Sequence, residues 1–305
     1  MGRAGTGCRV IKSVPGLLYV VATPIGNLGD ISARAREVLA TVSRIAAEDT
    51  RHTGQLLRSL GIDKPLVSLH DHNERARSEA LIAQVIAGES LALVSDAGTP
   101  LVADPGYALV RAAQEAGVRV VPIPGACAAV AALSVAGLAT DRFCFEGFLP
   151  AKSVARRARL DELKGEERTL VFYEAPHRIV EMLGDLLHVF GPRHATVARE
   201  LTKLHETVYA GTLETLAVRA QQDADMKRGE IVVVVEGGER AAATTSTDLR
   251  RLLGALLSEL PTSRAVDIAV AATGARRNAV YRLALEMKQT APEDTADATQ
   301  RLSDP

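Results

Sequence analysis

Apolar runs and helix-like patterns alternate along the first half of the chain. Residues 17–23 and 91–95 are continuous apolar runs, as expected of strands buried on both faces of a sheet. Residues 30–42 have the 3.6-residue spacing of a helix, with Asp30 as the predicted N-cap. The same patterns predict strands at 44–48, 65–69 and 119–123, and helices at 74–87, 105–116 and 126–135. This alternation predicts a parallel sheet covered by helices.

A second α/β block follows, and we place the boundary near residues 140–142. Its patterns predict strands at 143–147, 169–173, 196–201, 206–210 and 230–236, and helices at 153–164, 177–190 and 213–222. An Ala/Thr/Ser-rich linker at 241–246 precedes helical patterns at 248–259, 262–273 and 276–288. The expected organisation is a flexible extension at 1–15, α/β domains at 16–140 and 141–240, a helical unit at 246–288 and a disordered tail at 289–305.

The composition of the 305-residue chain narrows the function classes. It is 47% hydrophobic and 24% charged, which is typical of a globular protein with a substantial core. The formal net charge of −1 argues against nucleic-acid binding through bulk charge, so any RNA contact needs local basic patches. Three widely separated cysteines indicate neither a zinc site nor a disulfide framework. Because the N-terminus also lacks the pattern of a signal peptide, we expect a cytoplasmic protein.

One uncharged stretch, residues 120–140, is long enough to cross a bilayer. Pro122, Pro124 and Gly125 interrupt it early, and much of the remainder is alanine. We therefore expect a buried strand, a tight turn and a buried helix here.

Three turns rich in small residues follow the first, fourth and fifth predicted strands. They are T-P-I-G-N-L-G-D at 23–30, S-D-A-G-T-P at 95–100 and P-I-P-G-A-C-A-A at 122–129. The first has neither the Rossmann glycine pattern nor the lysine of a P-loop. Such turns let the backbone approach a ligand closely, and the carboxyl ends of parallel strands lie at one edge of the sheet. Together they predict a ligand-binding crevice.

Charged residues also cluster outside this predicted crevice. The segments 172–178 and 199–206 place charges directly after apolar strands, where a functional site and a surface ion-pair cluster are equally consistent with the pattern. Two basic segments are candidates for RNA contact, although a solvated helix face is the alternative. Their members are Lys152, Arg156, Arg157, Arg159, Arg276 and Arg277.

Several motifs occur in the order found in one family. Those quoted above for residues 23–30 and 95–100, with E-D-T-R at 48–51, H-D-H-N-E at 70–74, Y-E-A-P-H-R at 173–178 and R-E-L-T-K-L-H-E at 199–206, resemble the bacterial 16S ribosomal RNA (cytidine) 2′-O-ribose methyltransferases of the tetrapyrrole methylase superfamily. The helical end also looks similar, and resembles a helix-turn-helix. The resemblance implies an α/β fold with two α/β domains of tetrapyrrole methylase type, a cofactor cleft between them and a small C-terminal helical unit.

The resemblance further implies S-adenosylmethionine as cofactor and a homodimeric assembly. It implies that Asp96, Ala97, Gly98 and Thr99 line the cofactor. It places seven further residues near the cofactor: Pro24, Cys127, Ala128, Tyr173, Leu201, Gly229 and Ile231. The third turn departs from the superfamily's frequent P-G-P-S-A, because Ala126 and Cys127 replace Pro and Ser. A hydroxyl contact to the cofactor is therefore not expected at this turn.

Methyl transfer to a ribose 2′-hydroxyl mainly requires the oxygen to lie in line with the sulfonium methyl, and a base assists by taking the proton. The candidate bases are Glu48, His72, Glu200 and Lys203, and the sequence does not choose among them. Lys203 acts as a base only if its pKa is lowered. Otherwise it holds a phosphate or stabilises the alkoxide. No metal is required, and the sequence shows no ligand set for one.

Two other functions remain open at this point. A methyltransferase acting on a tetrapyrrole or another small molecule shares the fold and the cofactor turns, although it needs neither the basic run nor the C-terminal helices. A non-catalytic RNA-binding protein keeps the basic surfaces without binding the cofactor. The ribose-methylating interpretation makes 16S ribosomal RNA, or the small ribosomal subunit, the partner, because DNA lacks the 2′-hydroxyl.

Overall fold

The computed structural model describes residues 16–70, 74–238, 246–273, 275 and 277–289. The chain divides into two compact units between Gly237 and Gly238. The expected extension at 1–15, most of the expected linker and the tail after residue 289 lie outside the described residues. Within the described ranges, no helix is both long enough and apolar enough to span a membrane.

Five parallel strands form the first sheet of the larger unit. They are β1 (Leu18–Val21), β2 (Arg44–Ala47), β3 (Leu66–Ser68), β4 (Leu91–Val94) and β5 (Val120–Ile123), in the order β3-β2-β4-β1-β5. The connecting helices are α1 (Ala33–Thr41), α2 (Thr50–Ser59), α3 (Glu74–Ile86) and α4 (Tyr107–Glu115), and α5 (Ala128–Val135) follows β5. Helices cover both faces, which is why strands such as β4 are apolar and buried throughout. The predicted parallel sheet is confirmed.

The chain leaves the neighbouring strands β1 and β4 toward opposite faces of this sheet. Leu39 of α1 packs in the cluster on one face, and Leu109 of α4 packs in the cluster on the other. Ligands of such sheets bind where adjacent connections diverge in this way. The two turns pair through their backbones, because Thr23 N donates to Gly98 O at 2.8 Å and Gly98 N donates to Thr23 O at 3.1 Å.

The second sheet is mixed. Its strands are β6 (Phe143–Phe148), β7 (Thr169–Glu174), β8 (His194–Arg199), β9 (Thr207–Thr212) and β10 (Ile231–Val235), in the order β6-β7-β10-β8-β9. Only β6 and β7 pair in parallel, and the other three pairs are antiparallel. Helices α6 (Ser153–Leu163), α7 (Ile179–Phe190) and α8 (Leu213–Gln222) pack against one face around buried residues such as Phe172 and Leu186.

Helix α5 follows the first sheet in sequence but packs on the free face of the second. Its Ala132 and Leu133 form an apolar cluster with Val171, Ala198 and Val234. This packing ties the two sheets into one unit. It also confirms that residues 120–140 form a strand, a turn and a buried helix.

Two predictions of local structure are wrong. Ser32 caps α1, because its side chain accepts a hydrogen bond from Ala35 N at 3.1 Å, whereas Asp30 belongs to a short 3₁₀ helix. The apolar pattern also predicts no helix between β2 and β3, where α2 is found. Only two residues of α2, Thr53 and Leu57, are buried, so its apolar stripe is too sparse to show in the sequence.

The smaller unit contains α9 (Ser246–Glu259), α10 (Thr262–Thr273) and α11 (Arg277–Gln289). Leu253, Val266, Ala269, Val280 and Ala284 are buried in its core. The three predicted helices are confirmed to within two residues at each end.

Candidate functional site

A cavity of about 350 Å³ lies beside the paired turns, with walls from both sheets of the larger unit. From the first half of the chain it is lined by Ala97, Gly98, Thr99, Cys127 and Ala128. From the second half it is lined by Tyr173, Leu201, Gly229 and Ile231. The structure thus gathers every residue predicted to bind the cofactor except Pro24 and Asp96. The volume of this cavity lies within the ~300–1,000 Å³ typical of small-molecule sites. We call this cavity the cleft.

Hydrogen bonds hold the turns around the cleft in place. Thr99 Oγ1 donates to Ala126 O at 3.0 Å, which joins the second turn to the third. The Tyr173 hydroxyl accepts the Ala129 amide hydrogen at 3.2 Å, which joins β7 to the start of α5. Burial raises the pKa of Tyr173 to about 12, so its phenol stays neutral at physiological pH. The cleft is therefore preformed by contacts within the chain.

Glu174 is one of the residues that line the cleft, and its side chain is buried. Its Oε1 accepts the Ala175 amide hydrogen at 2.7 Å and lies 3.2 Å from Arg178 Nε. Its Oε2 is also buried and has no hydrogen-bond partner among the described residues. Burial raises the pKa of Glu174, although the Ala175 amide and Arg178 act in the opposite direction. A buried carboxyl oxygen without a partner is suited to accept a hydrogen bond from a ligand that reaches it.

An ion-pair cluster lies beside the cleft. Lys203 Nζ is 2.9 Å from Glu200 Oε1 and 3.1 Å from Glu230 Oε2, and Glu230 itself lines the cleft. Glu200 Oε1 also accepts the Glu230 amide hydrogen at 2.9 Å. Gly229 and Gly26 make this packing possible, because a Cβ on either would collide with Glu200 or Lys203 respectively. Because Gly26 has no side chain, Lys203, which follows β8 of the second sheet, packs directly against the first turn.

The ion-pair cluster favours the charged forms of Glu200 and Lys203. Burial raises the pKa of Glu200, but hydrogen bonds from Lys203 and the Glu230 amide outweigh it and hold the pKa below its ordinary value. Burial lowers the pKa of Lys203, but the two carboxylates outweigh it and raise the pKa above its ordinary value. Lys203 therefore stays an ammonium, and the lowered pKa that a lysine base needs is absent. The condition under which Lys203 would act as a base is therefore not met here, and its alternative role as a fixed positive charge stays a prediction.

Pro24 and Asp96 line a second cavity, of about 290 Å³. Its other walls come from the first turn and from α2, including His52 and Gln55. Asp96 Oδ1 accepts the Asp49 amide hydrogen at 3.0 Å, which ties the second turn to the start of α2. The two residues therefore line a cavity that neighbours the cleft. Glu48 lies just before α2 and is half-buried, and His72 lies outside the described residues.

Comparisons with known proteins agree with this architecture. Residues 17–217 match the family model described as Tetrapyrrole (Corrin/Porphyrin) Methylases. Residues 243–288 match the RsmI C-terminal HTH domain. The chain is 56% identical to the ribosomal RNA small subunit methyltransferase I of Xylella fastidiosa (strain Temecula1), over 88% of this chain and 99% of that protein. The Escherichia coli O157:H7 protein of the same name is 51% identical, over 90% and 96% respectively.

The chain belongs to the ribosomal RNA small subunit methyltransferase I family. Solved structures at lower sequence identity show that proteins with other names have the same fold. Diphthine synthase matches with a TM-score of 0.55 at 20% identity, over 72% of this chain and 90% of that one. The methyltransferase CobJ matches with a TM-score of 0.54 at 22% identity, over 75% and 95%.

The residues of the basic run at 152–159, which the sequence predicts to contact RNA, differ from one another in burial and in ion pairing. Arg156 is 0% exposed, and its Nε donates to Asp185 Oδ2 at 2.7 Å. The prediction that it contacts RNA is wrong, because the side chain faces α7 and not solvent. Arg157 is partly exposed and also pairs with Asp185, while Arg159 pairs with Glu146 and Glu162. Lys152 is exposed and makes no ion pair within the described residues.

In the smaller unit, Arg277 is exposed and lies 2.6 Å from Asp267 Oδ1 through its Nη1. Arg276 lies outside the described residues. The contribution of both residues to RNA binding therefore stays a prediction.

The sequence also missed several cleft residues. Glu174, Ala175 and Pro176 lie in the Y-E-A-P-H-R motif, so their neighbour Tyr173 was the available signal. Phe148 and Ala198 have no comparable motif. They reach the cleft only because the mixed sheet places β6 and β8 near it.

Proposed function

We propose that this chain uses S-adenosylmethionine to methylate the 2′-hydroxyl of a cytidine ribose in 16S ribosomal RNA. The observation that carries the proposal is the cleft: small-residue turns line it, in a chain that shares about half its sequence with ribosomal RNA small subunit methyltransferases.

The cleft residues fit S-adenosylmethionine. Ala97, Gly98 and Ala128 leave room for a bulky ligand to approach the backbone. Glu174 offers a hydrogen-bond acceptor and, when ionised, a negative charge, and the cofactor carries a positive sulfonium together with amino and hydroxyl donors. When bound, the cofactor supplies an electrophilic methyl group. The cleft walls are mostly apolar, which suits the apolar parts of such a ligand.

The ion-pair cluster supports a role in handling the substrate. Lys203 is held as an ammonium by Glu200 and Glu230, and its position over Gly26 places a fixed positive charge beside the cleft. Such a charge stabilises negative charge on a ribose oxygen that is losing its proton, or holds a neighbouring phosphate. Because its own ammonium is stabilised, we propose this electrostatic role for Lys203 in place of that of proton acceptor.

For the proton itself, Glu48, Glu200 and His72 remain candidates. Glu200 is ionised but is a weak base, because its hydrogen bonds hold its pKa low. We therefore propose that the chain accelerates methyl transfer chiefly by positioning and electrostatics, with proton removal contributing less.

RNA contact, homodimerisation and a cytoplasmic location belong to the same proposal. Exposed Lys152, partly exposed Arg157 and Arg159, and Arg277 of the smaller unit supply local positive charge on a chain of net charge −1. The homodimer rests on the resemblance to the superfamily, and light scattering tests it.

The test is methyl transfer itself. The purified chain is incubated with labelled S-adenosylmethionine and either small ribosomal subunits, naked 16S ribosomal RNA or a tetrapyrrole, and 2′-O-methyl groups are then mapped on the RNA. We expect one methylated cytidine, and no transfer to the tetrapyrrole. Uptake of the cofactor without transfer to RNA would contradict the substrate, and no uptake at all would contradict the enzyme.

A further inference from the structure

The second cavity lies on the other side of the turns that border the cleft. Ile25 and Ala97 line the cleft, while their chain neighbours Pro24 and Asp96 line the second cavity. Backbone pairing between Thr23 and Gly98 fixes these turns to each other. A substrate that extends across them therefore reaches from the second cavity to the edge of the cleft.

The walls of this cavity combine polar and apolar groups. Helix α2 contributes His52 and Gln55, whose side chains make no hydrogen bond within the described part of the chain. Leu28, which is largely exposed, and Leu56 supply apolar surface. A flat ligand with apolar faces and a polar edge matches these walls.

The charge of the cavity lining restricts the class of ligand further. Its described lining contains Asp96 but no lysine or arginine, so a phosphate group is disfavoured there. One oxygen of Asp96 accepts the Asp49 amide hydrogen at 3.0 Å. The second oxygen makes no hydrogen bond to the described residues, and an aspartate that accepts from an exocyclic amino group is a known mode of cytosine recognition.

We propose that this second cavity binds the base of the nucleotide being methylated, and that Asp96, His52 and Gln55 select a base with an exocyclic amino group. The inference rests on the proposed function and adds to it a binding site for the base. Stacking on Leu28 and Leu56 holds the base out of its RNA context, as single-stranded RNA recognition requires. The sugar then lies at the turns, next to Lys203 over Gly26.

The first experiment uses His52→Ala and Gln55→Ala, separately and together, in the full chain. Single-turnover methyl transfer is measured on small ribosomal subunits carrying cytidine or uridine at the methylated position. We expect the unaltered chain to prefer cytidine about tenfold or more. The double variant loses most of this preference and about tenfold in rate on cytidine. Affinity for S-adenosylmethionine, measured by calorimetry, stays within twofold because neither side chain lines the cleft.

Matched control variants are His188→Ala and Gln222→Ala, which remove the same side chains from exposed positions on α7 and α8. They leave the rate and the base preference unchanged. An unchanged preference in the double variant would overturn the inference, and so would a loss of cofactor affinity equal to the loss of rate.

A second measurement is independent of methyl transfer. The ring signals of His52, assigned with the His52→Ala variant, are followed by nuclear magnetic resonance while cytidine or uridine is added. Cytidine shifts these signals at lower concentration than uridine if the cavity binds the base. Equal responses, or none, would overturn the inference. Absent methyl transfer with a selective cytidine response would instead refute the proposed function and leave the base site in place.

Discussion

Two clusters of charge in the larger unit have opposite surroundings. Arg156 and Asp185 are enclosed between α6 and α7, where Ser153 and Arg157 complete the contacts of the carboxylate. Lys203 and Glu200 lie beside the cleft, partly open to solvent, and link the second sheet to the first turn. The sequence marks both segments as candidates for function. The two clusters differ in burial. The buried one holds two helices together, and the partly exposed one presents charge to a ligand.

The sharpest test of this difference is Arg156→Met. The variant leaves Asp185 buried without its fully buried arginine partner, and breaking a buried pair costs about 3–5 kcal/mol in the free energy of unfolding. Urea denaturation followed by circular dichroism measures the loss. The control, Arg157→Met, removes a half-exposed partner of the same carboxylate and costs about 1 kcal/mol or less.

A compensating variant tests the reason for this loss. Replacing both residues, Arg156→Met with Asp185→Leu, removes the stranded charge and recovers most of the stability. If the double variant is as unstable as the single one, packing and not charge is the main contribution of Arg156.

The second prediction concerns Lys203→Met. We expect this variant to change stability little and the reaction rate strongly, the reverse of what we expect for Arg156→Met. Solvent reaches this ion pair, so the free energy of unfolding changes by about 1 kcal/mol. The rate of methyl transfer falls about 10²-fold, because a fixed charge beside the reacting oxygen is lost. Single-turnover kinetics at saturating cofactor measures the effect. A large loss of stability without a specific loss of rate would place Lys203 with Arg156 as a structural residue.

The first half of the fold is predictable from the sequence because its signals are local. Strands such as β4 are continuous apolar runs, and each small-residue turn follows its strand directly. The cleft could be anticipated for the same reason, since parallel strands bring their carboxyl ends to one edge.

The remaining features depend on contacts that are distant in the sequence. Arg156 is read as a surface residue until Asp185, 29 positions later, is found packed against it. Helix α2 has too few buried residues to give a periodic signal, so the second cavity that it helps to form is not visible in the sequence. The resemblance assigns Asp96 to the cofactor, whereas in the structure it lines the neighbouring cavity.

A third prediction contrasts Glu174 with the two ion pairs, since one of its oxygens has no partner. Burial raises its pKa above the ordinary 4.5, so the carboxyl takes up a proton at a higher pH than a free one does. A positively charged cofactor binds the ionised form better. Its affinity therefore rises as the pH increases from 4.5 through the raised pKa and then levels off.

Calorimetry across this pH range checks the prediction with Glu174→Gln, which keeps the shape of the side chain and removes its charge. Affinity for S-adenosylmethionine falls about tenfold at neutral pH, and the rise with pH is lost. Equal pH profiles for the two proteins would show that Glu174 does not face the cofactor.

The smallest effect is expected at Lys152, the one member of its basic run that is exposed and without an ion pair in the described structure. Lys152→Ala leaves the free energy of unfolding within about 0.5 kcal/mol, because it breaks no buried contact. RNA affinity falls a few-fold for every RNA sequence, and the slope of log affinity against log salt decreases by about 1 if the lysine contacts one phosphate. Filter binding at several salt concentrations measures both quantities. An unchanged slope would restrict RNA contact to the remaining basic residues, and would show that exposure without a partner is not enough to identify a phosphate-binding lysine on this surface.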